Sequence, residues 1–257
     1  MQGLKATFLR RAALVFLLFF IGSREKALAS LLSVHDFEQQ YVECQIQSVY
    51  THLQNKELSF DVWEKGFRGY ISLYKQGKLE NPRYLTLVDF SQPSSEERLF
   101  VIDMVQQTIS FQSLVSHGRN SGGLMATSFS NRNSSYQSSL GFYVTAETYS
   151  GKFDYAMRLD GLEYSNSNAR ERAIVVHGAD YATPEFLKKN NGILGRSLGC
   201  PAVPKESAHH LIDLVKNGSC FFIYSENREY ARLSRLLRFI PGVDDLAQLE
   251  CLKEQYS

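Results

Sequence analysis

Two stretches of the chain indicate its fold and its chemistry: RAIVVHGADYA at residues 172–182 and GRSLGCPAVP at residues 195–204. The first is an apolar, β-branched run that ends in a histidine and a glycine, the pattern of a buried strand that holds an imidazole at the edge of a sheet. The second places Cys200 between a glycine and a proline, in a turn where its sulfur can be reached. Cys200 could therefore be a disulfide partner, an inert turn residue or a nucleophile.

The histidine of the first stretch, His177, precedes Cys200 by 23 residues. Because a neutral thiol is a weak nucleophile, thiol catalysis needs a base, and an imidazole can take the thiol proton. Backbone N–H groups around Gly199 and Cys200 could bind the oxyanion of an acyl intermediate, and the glycine permits the tight turn that this requires. A strand-end histidine and a turn cysteine can also be purely structural, so the pair alone does not establish catalysis.

The rest of the sequence predicts a mainly β domain that follows a helical region. Aromatic residues recur at three- and four-residue steps between residues 60 and 74, and Ser59 can cap that helix. After Asn81-Pro82 the period changes to two. Strands are predicted in RYLTLVDF, RLFVIDMVQQTISFQSLVSHG, SLGFYVTAETYSG, FDYAMRLDGLE, RAIVVHG and GSCFFIYSE. Short helices are predicted in TPEFLKKN, KESAHHLIDLVKNG, REYARLSRLLRFI and DDLAQLECLKEQ.

The N-terminus has the pattern of a secretory signal peptide, residues 1–29. Basic residues precede the apolar run AALVFLLFFIG, which is too short to span a bilayer, and ALA then offers a cleavage site. An uncleaved membrane anchor is the alternative. The predicted organisation continues with an N-terminal helical region at 30–80, a catalytic domain at 81–228 and a C-terminal helical extension at 229–257. Secretion would place the protein in the periplasm or cell envelope, with no stable membrane insertion after cleavage.

Charge and cysteine content narrow the function further. Cleavage after residue 29 would leave 23 basic and 26 acidic residues, and such a mildly acidic body does not predict nucleic-acid binding. Cys220 lies in a buried-strand pattern, where a free cysteine behaves as a small hydrophobe. Cys44 and Cys251 lie near opposite ends of the mature chain, and we expect a disulfide between them. A zinc site would draw on His177, Cys200, His209 and His210, but no pair of these has the short spacing of zinc ligands.

Several motifs, in order along the chain, resemble the murein L,D-transpeptidase catalytic domain family, a branch of the YkuD-like L,D-transpeptidase superfamily. The superfamily signature is a histidine followed further along by Ser-x-Gly-Cys, here the histidine of IVVHGADYA and then SLGC. The branch adds stretches that this chain carries as LVDFS, SHGRNSG, FSNRNSS, SSLGFYVT and GCPAVP. The resemblance covers residues 83–226 and implies a β-sandwich with short inserted helices, α+β overall when the N-terminal helices are included.

The resemblance implies a cysteine acyltransferase of the cell wall. Cys200 would be the nucleophile and His177 the base, with Ser197 and Gly199 completing the catalytic turn. The sulfur would attack the carbonyl of the third residue of a peptidoglycan tetrapeptide stem and release the terminal D-alanine. An amine from another stem would then give a 3-3 crosslink, and water a trimmed tripeptide. No metal or organic cofactor is implied.

The substrate side of the site is less clearly marked in the sequence. The residues expected there are Arg196, His117, Gly178 and Ser139. Leu198 and Ala202 stand where much of the superfamily has a histidine and an arginine. A substrate carboxylate would therefore need another cation. Arg196 is the first candidate, and the others are Arg119, Arg132 and Arg172. The same substitutions favour an alternative function, a cell-wall-binding or structural protein on this scaffold that no longer turns over substrate.

Overall fold

The computed structural model describes residues 36–152 and 154–256, and the predicted signal peptide lies outside them. The chain divides into two compact units, residues 1–45 and residues 46–257. In the first unit, residues 36–45 are helical. The second unit opens with helical residues 46–53, numbered α1, and contains all the other elements described below. Within the described residues no helix is both long and apolar enough to cross a membrane.

Helix α2, Phe60–Lys75, packs on the sheet of the second unit. Ser59 caps it as predicted, since its Oγ accepts a hydrogen bond from the N–H of Val62 at 3.3 Å. Its buried face includes three of the aromatic side chains that the three- and four-residue period marked, Trp63, Phe67 and Tyr70, together with neighbouring aliphatic ones. Gly69 lets the helix approach closely, because a Cβ at this position would lie 2.0 Å from the Phe142 ring. The helix is therefore part of the core.

Eight strands form one mixed sheet, whose order is β3-β2-β1-β8-β4-β5-β6-β7. The strands are β1 Tyr84–Asp89, β2 Leu99–Asp103, β3 Thr108–Ser113, β4 Gly141–Gly151, β5 Asp154–Gly161, β6 Val175–Ala179, β7 Ala202–Pro204 and β8 Cys220–Tyr224. Neighbouring strands are antiparallel except for the pairs β1–β8 and β6–β7, which are parallel. Strands β1, β2 and β8 are buried along almost their whole length, which places the core under the centre of the sheet.

The mainly β fold with short inserted helices is confirmed, and the sheet curls into a barrel-like form. Ser116, just beyond β3, pairs with Ala202 in β7 through an antiparallel bridge, and the Ser116 N–H donates to the Ala202 carbonyl at 2.8 Å. This bridge brings the two outermost strands of the order together. The expected β-sandwich is built from one continuous, curved sheet. Closing a curved sheet removes an unpaired edge.

A short crossover connects the histidine stretch, residues 172–182, to the cysteine stretch, residues 195–204. A 3₁₀ turn at Asp180–Ala182 and helix α3, Pro184–Lys189, follow β6, and helix α4, Lys205–Val215, follows β7. Sequence patterns predicted α3 and α4 but not β7, since a three-residue strand that ends in a proline is too short to show an alternating pattern. A parallel neighbour of β6 requires such a crossover connection.

The C-terminal segment differs from its prediction. A single helix was expected from Arg228 to about residue 240, but α5 ends at Leu233 and α6 begins only at Val243, extending to Tyr256. Ser234 interrupts the helix, because its Oγ accepts from the Leu237 N–H at 3.1 Å and donates to the buried Glu163.

Glu163 ties this segment to the sheet. Its Oε2 accepts from the hydroxyl of Tyr230 at 2.7 Å and from the N–H of Phe142 in β4 at 2.9 Å. Its Oε1 accepts from the hydroxyl of Ser234. Because an unpaired buried carboxyl group is costly, these three donors give the C-terminal segment a fixed place.

The expected disulfide between Cys44 and Cys251 is not formed, since Cys44 carries a free, exposed thiol. Cys220 is a free, fully buried residue of β8, as its sequence pattern predicted. Burial raises the pKa of the Cys220 thiol well above its ordinary value, so this sulfur is a packing group and not a nucleophile.

We expect Gly69→Ala to lower the free energy of unfolding by about 1–3 kcal/mol, because the added methyl group would overlap the Phe142 ring. That ring stacks on Phe222 with centroids 4.1 Å apart and cannot easily move. Alanine is otherwise the better helix former by about 1 kcal/mol, so the sign is diagnostic. Urea unfolding measures the change. Gly123→Ala, where a Cβ meets open space, is the control; equal stability of the two variants would contradict the packing of α2.

Candidate active site

The candidate active site lies where β6 and β7 run side by side. His177 in β6 pairs with Ala202 in β7, and Gly178 pairs with Val203. Cys200 is two residues before Ala202, at the end of the crossover that contains α3. The parallel register therefore brings the strand that carries the histidine next to the segment that carries the cysteine.

His177 is buried, and its ring is held by its own strand. Its Nδ1 lies 3.0 Å from the carbonyl oxygen of Gly178. A carbonyl only accepts, so Nδ1 carries the proton and Nε2 is the unprotonated nitrogen of the neutral ring. Burial lowers the pKa of His177, opposed by the hydrogen bond to Gly178. A neutral imidazole with a defined tautomer can accept a proton through Nε2.

Cys200 is half-buried beside the beginning of β6. Its Sγ–H donates to the carbonyl of Ala173 at 3.7 Å. Burial raises the pKa of the Cys200 thiol, while the N–H of Val175 and the positive charge of Arg172 lower it. Since burial is the largest of these effects, the sulfur rests as a thiol, and attack on a carbonyl needs a base to take its proton.

Ser197 shapes the turn that carries the sulfur. Its buried Oγ donates to the carbonyl of Cys200 at 2.6 Å and accepts from the N–H of Gly199 at 3.0 Å. The hydroxyl of Ser138 donates to the Gly199 carbonyl at 3.2 Å from the other side. The Gly199 N–H is thus already engaged and would have to be released before it could bind an oxyanion.

Glycine is required at position 199. Its φ is +125°, a region that residues with a side chain rarely adopt. A Cβ there would lie 2.8 Å from the carbonyl oxygen of Gln137 and 3.2 Å from Nη2 of Arg172. The turn before Cys200 is therefore packed against both of these groups.

The residues predicted for the substrate side differ in solvent exposure and in their contacts. Arg196 is exposed, and its Nη1 donates to the carbonyl of Gly122 at 3.0 Å. Gly178 allows α4 to pack on β6, because a Cβ would lie 3.0 Å from the Ala208 side chain and from the Lys205 backbone. Ser139 is buried, and its Oγ accepts from Arg172. Of these three, Arg196 alone presents its side chain to solvent.

His117, expected to face the cleft, is instead buried against Arg98. Its Nδ1 accepts from Nη2 of Arg98 at 2.9 Å, and its Nε2–H points to the Gly122 carbonyl at 3.4 Å. Burial and the Arg98 charge lower the pKa of His117 to about 4, so the ring is neutral. Both ring nitrogens are therefore used inside the protein.

Arg98 is a structural residue that the sequence analysis missed. It is fully buried and also donates to the carbonyls of Gln92 at 2.6 Å and Val115 at 3.0 Å. Burial lowers its pKa to about 9, opposed by Asp89, and it remains a cation at neutral pH. Only the tertiary fold reveals the pairing with His117, since their separation of 19 residues matches no local pattern.

Arg119, His209 and His210 contact other groups, whereas Arg132 is exposed. The guanidinium of Arg119 lies over the Tyr136 ring, 4.2 Å from its centroid. His209 contacts Asp154 and the Tyr155 ring, and His210 contacts the Phe111 ring. In the part of the chain that the structure describes, no three His, Cys, Asp or Glu side chains are grouped as metal ligands would be.

A profile of the L,D-transpeptidase catalytic domain matches residues 54–224, which includes α2, all eight strands and the candidate site. The chain belongs to the L,D-transpeptidase catalytic domain family. The resemblance seen in the sequence motifs is thereby confirmed. The family match begins at residue 54, in front of α2, whereas the motifs were first seen from residue 83 onward.

Comparison with solved structures finds matches at low sequence identity. An L,D-transpeptidase from Mycobacterium tuberculosis is 17% identical, with 56% of this chain and 58% of that chain covered and a TM-score of 0.37. One from Stackebrandtia nassauensis is 14% identical, with 68% and 69% covered and a TM-score of 0.35. The cell shape determining protein Pgp2 from Campylobacter jejuni is 12% identical, with 74% and 62% covered and a TM-score of 0.36. No curated protein matches this L,D-transpeptidase family member.

We expect the buried His117 to make this family member sensitive to acid. The unfolded chain takes up a proton at His117 below about pH 6.5, whereas the folded protein does so only at about pH 4. Stability is therefore complete above pH 6.5 and falls by up to about 3 kcal/mol as the pH drops toward 4. Urea unfolding of wild type and His117→Gln across this range isolates the effect. At neutral pH the variant should have a lower free energy of unfolding than wild type, but this energy should fall less as the pH drops. Equal falls in wild type and variant would show that His117 is not the group responsible.

Proposed function

We propose that this protein is a cysteine L,D-transpeptidase that acts on peptidoglycan stem peptides through an acyl-enzyme on Cys200, with His177 as the base. The observation that carries the proposal is the parallel pairing of β6 with β7, which sets the neutral imidazole of His177 on the strand next to the Cys200 segment. Membership of the family supplies the reaction class. Peptidoglycan peptides as substrate, secretion by residues 1–29 and location in the cell envelope are parts of the same proposal.

The acylation step uses one proton and one leaving group. As Cys200 Sγ attacks the carbonyl carbon of the third stem residue, the thiol proton passes to Nε2 of His177. The C–S bond forms, and the carbonyl oxygen becomes an oxyanion. When the intermediate collapses, the amide bond to the terminal D-alanine breaks, and the imidazolium returns the proton to the departing amine. The result is a thioester on Cys200 and free D-alanine.

The second step consumes the thioester. An amine of another stem, or water, attacks the thioester carbonyl and gives its proton to His177. The C–S bond breaks, and the sulfur leaves and is reprotonated. An amine acceptor gives a 3-3 crosslink, and water gives a tripeptide. No proton is lost overall, so a single neutral base is sufficient.

The resting state of the site supports this order of events. Burial keeps both His177 and Cys200 uncharged, by lowering the pKa of the first and raising that of the second. Proton transfer is therefore coupled to attack rather than completed in advance. The hydrogen bond from Nδ1 to Gly178 fixes the ring so that Nε2 is the basic nitrogen.

Arg196 is the cation best placed to meet a substrate carboxylate. It is exposed and adjoins Ser197 of the nucleophile turn. Leu198, 58% exposed, offers an apolar surface at the same turn. Arginine can bind a carboxylate through two parallel hydrogen bonds, which suits an acidic third stem residue.

A second candidate function is a wall-binding protein that no longer turns over its ligand. The observations that favour it are the Gly199 N–H, which is engaged by Ser197, and the replacement of the superfamily's histidine and arginine by Leu198 and Ala202. On this alternative the stem peptide would bind without forming a thioester.

We expect purified wild-type protein to convert a tetrapeptide muropeptide to a crosslinked dimer or a tripeptide, which mass spectrometry distinguishes. Cys200→Ser should abolish both products and should also abolish acylation by a carbapenem. His177→Asn keeps a donor for the Gly178 carbonyl but has no basic nitrogen, so it should fold and lose at least about a hundredfold in rate.

Cys44→Ser, which removes an exposed thiol that the mechanism does not use, is the matched control and should retain full activity. Circular dichroism confirms that each variant is folded. A folded wild type that binds the muropeptide but forms neither product nor acyl-enzyme would contradict the enzyme proposal and support the wall-binding function.

A further inference from the structure

Arg172 is a half-buried cation beside the nucleophile turn, without a carboxylate partner among the described residues. Its two Nη atoms donate four hydrogen bonds, and all four acceptors are uncharged. The acceptors are the Ser130 carbonyl at 2.8 Å, the Gln137 carbonyl at 2.6 Å, the Ser135 hydroxyl at 3.3 Å and the Ser139 hydroxyl. A substrate carboxylate would therefore have to displace one of these internal acceptors.

The same guanidinium packs directly against the residue before the nucleophile. Nη2 would lie 3.2 Å from a Cβ at position 199, which is closer than an ordinary van der Waals contact. Ala173, the residue after Arg172, accepts the hydrogen bond from Cys200 Sγ. Arg172 and its chain neighbour Ala173 thus contact two consecutive residues of the turn, Gly199 and Cys200.

Among the titratable groups near this turn, Cys200 is the one whose anionic form Arg172 can stabilise. Tyr143 also interacts with Arg172, but burial raises its pKa well above 10, so it stays neutral. Burial likewise raises the pKa of Tyr181, with Cys200 as the second cause. The pKa of His177 is lowered, so it adds no positive charge at rest.

Arg170 provides a natural comparison two residues away. It is exposed and forms ion pairs with Glu147 and Asp160. Its positive charge is therefore neutralised locally and screened by solvent. Arg172 differs in being half-buried and unneutralised, and a charge in such surroundings acts more strongly on its neighbours.

We propose that Arg172 is a positioning residue for the nucleophile: its hydrogen bonds clamp residues 130–139, its guanidinium packs against Gly199 of the Gly199–Cys200 turn, and it supplies the positive charge that stabilises the thiolate as it forms. This role rests on the proposed function of Cys200. It replaces the expectation that Arg172 binds a substrate carboxylate. The charge of Arg172 opposes the rise in the Cys200 pKa that burial causes, so it acts when the proton leaves the sulfur.

The test is the pH dependence of Cys200 alkylation by iodoacetamide, followed by peptide mass spectrometry so that other cysteines are read separately. In Arg172→Gln the apparent pKa of Cys200 should rise by about one unit, and alkylation at pH 7 should slow about tenfold. Arg172→Lys keeps the charge and should stay close to wild type in this titration, while turnover of the muropeptide falls because the hydrogen-bonded clamp is lost.

Two controls separate charge from local structure. Arg170→Gln removes a nearby positive charge, and Ser135→Ala removes one acceptor of the clamp while the charge stays. Both should titrate as wild type. An unchanged Cys200 titration in folded Arg172→Gln would overturn the proposal. If that variant does not fold, Arg172→Lys decides, and a rise of about one unit there would overturn the role of the charge.

The titration needs no peptide turnover, so it separates this proposal from the proposed function. A wild type that makes no product but shows the Arg172→Gln shift would refute the transpeptidase and keep the thiolate partner. An active wild type in which Arg172→Gln raises KM alone, with the thiol titration unchanged, would show that Arg172 binds substrate, and the proposal would fall.

Discussion

The structure of the site depends on the parallel pairing of β6 with β7. This short ladder, from His177–Ala202 to Ala179–Pro204, is the connection that sets the histidine strand beside the cysteine turn. Its two strands are parallel, so the chain between them must leave the sheet and return, which it does through the 3₁₀ turn and α3. Ser116 then bonds to Ala202 from the other side, which closes the sheet around the same three residues of β7.

A second layer of residues holds the turn in place. Ser138 and Ser197 bond to the backbone at Gly199 and Cys200, and the carbonyl of His117 accepts from the Ser197 N–H at 3.0 Å. His117 is itself fixed by the buried Arg98. The motifs SHGRNSG and SSLGFYVT, which carried the family resemblance, thus contribute residues that support the turn at Gly199 and Cys200. Such support is what keeps a reacting group within the narrow geometry that catalysis requires.

Much of the fold could be predicted from the sequence, because a periodic pattern of apolar residues indicates which face of a helix or strand is buried. Seven of the eight strands and helices α2, α3, α4 and α6 follow visible periods. Strand β7 could not be predicted, since its three residues, the last of them a proline, owe their extended structure to pairing with β6 and with Ser116. The predicted helix from Arg228 is longer than the observed one, because the hydroxyl of Ser234 donates to Glu163 and interrupts the helix. Glu163 is distant in sequence, so no local pattern shows this contact. His177 and Cys200, the pair that the proposed function uses, could be selected from their sequence motif, whereas the burial of His117 depends on Arg98 and has no sequence signal.

The attachment of Tyr230 and Ser234 to Glu163 has a consequence for where the folded domain can be cut. Both hydroxyls lie beyond residue 224, where the family match ends, and beyond residue 228, where the predicted catalytic domain ends. A recombinant fragment that stops at either boundary would leave the carboxyl group of Glu163 facing the interior with only the Phe142 N–H as a donor. Expression trials of a minimal catalytic fragment should therefore retain the chain at least through residue 237, even though that segment contributes no group to the chemistry.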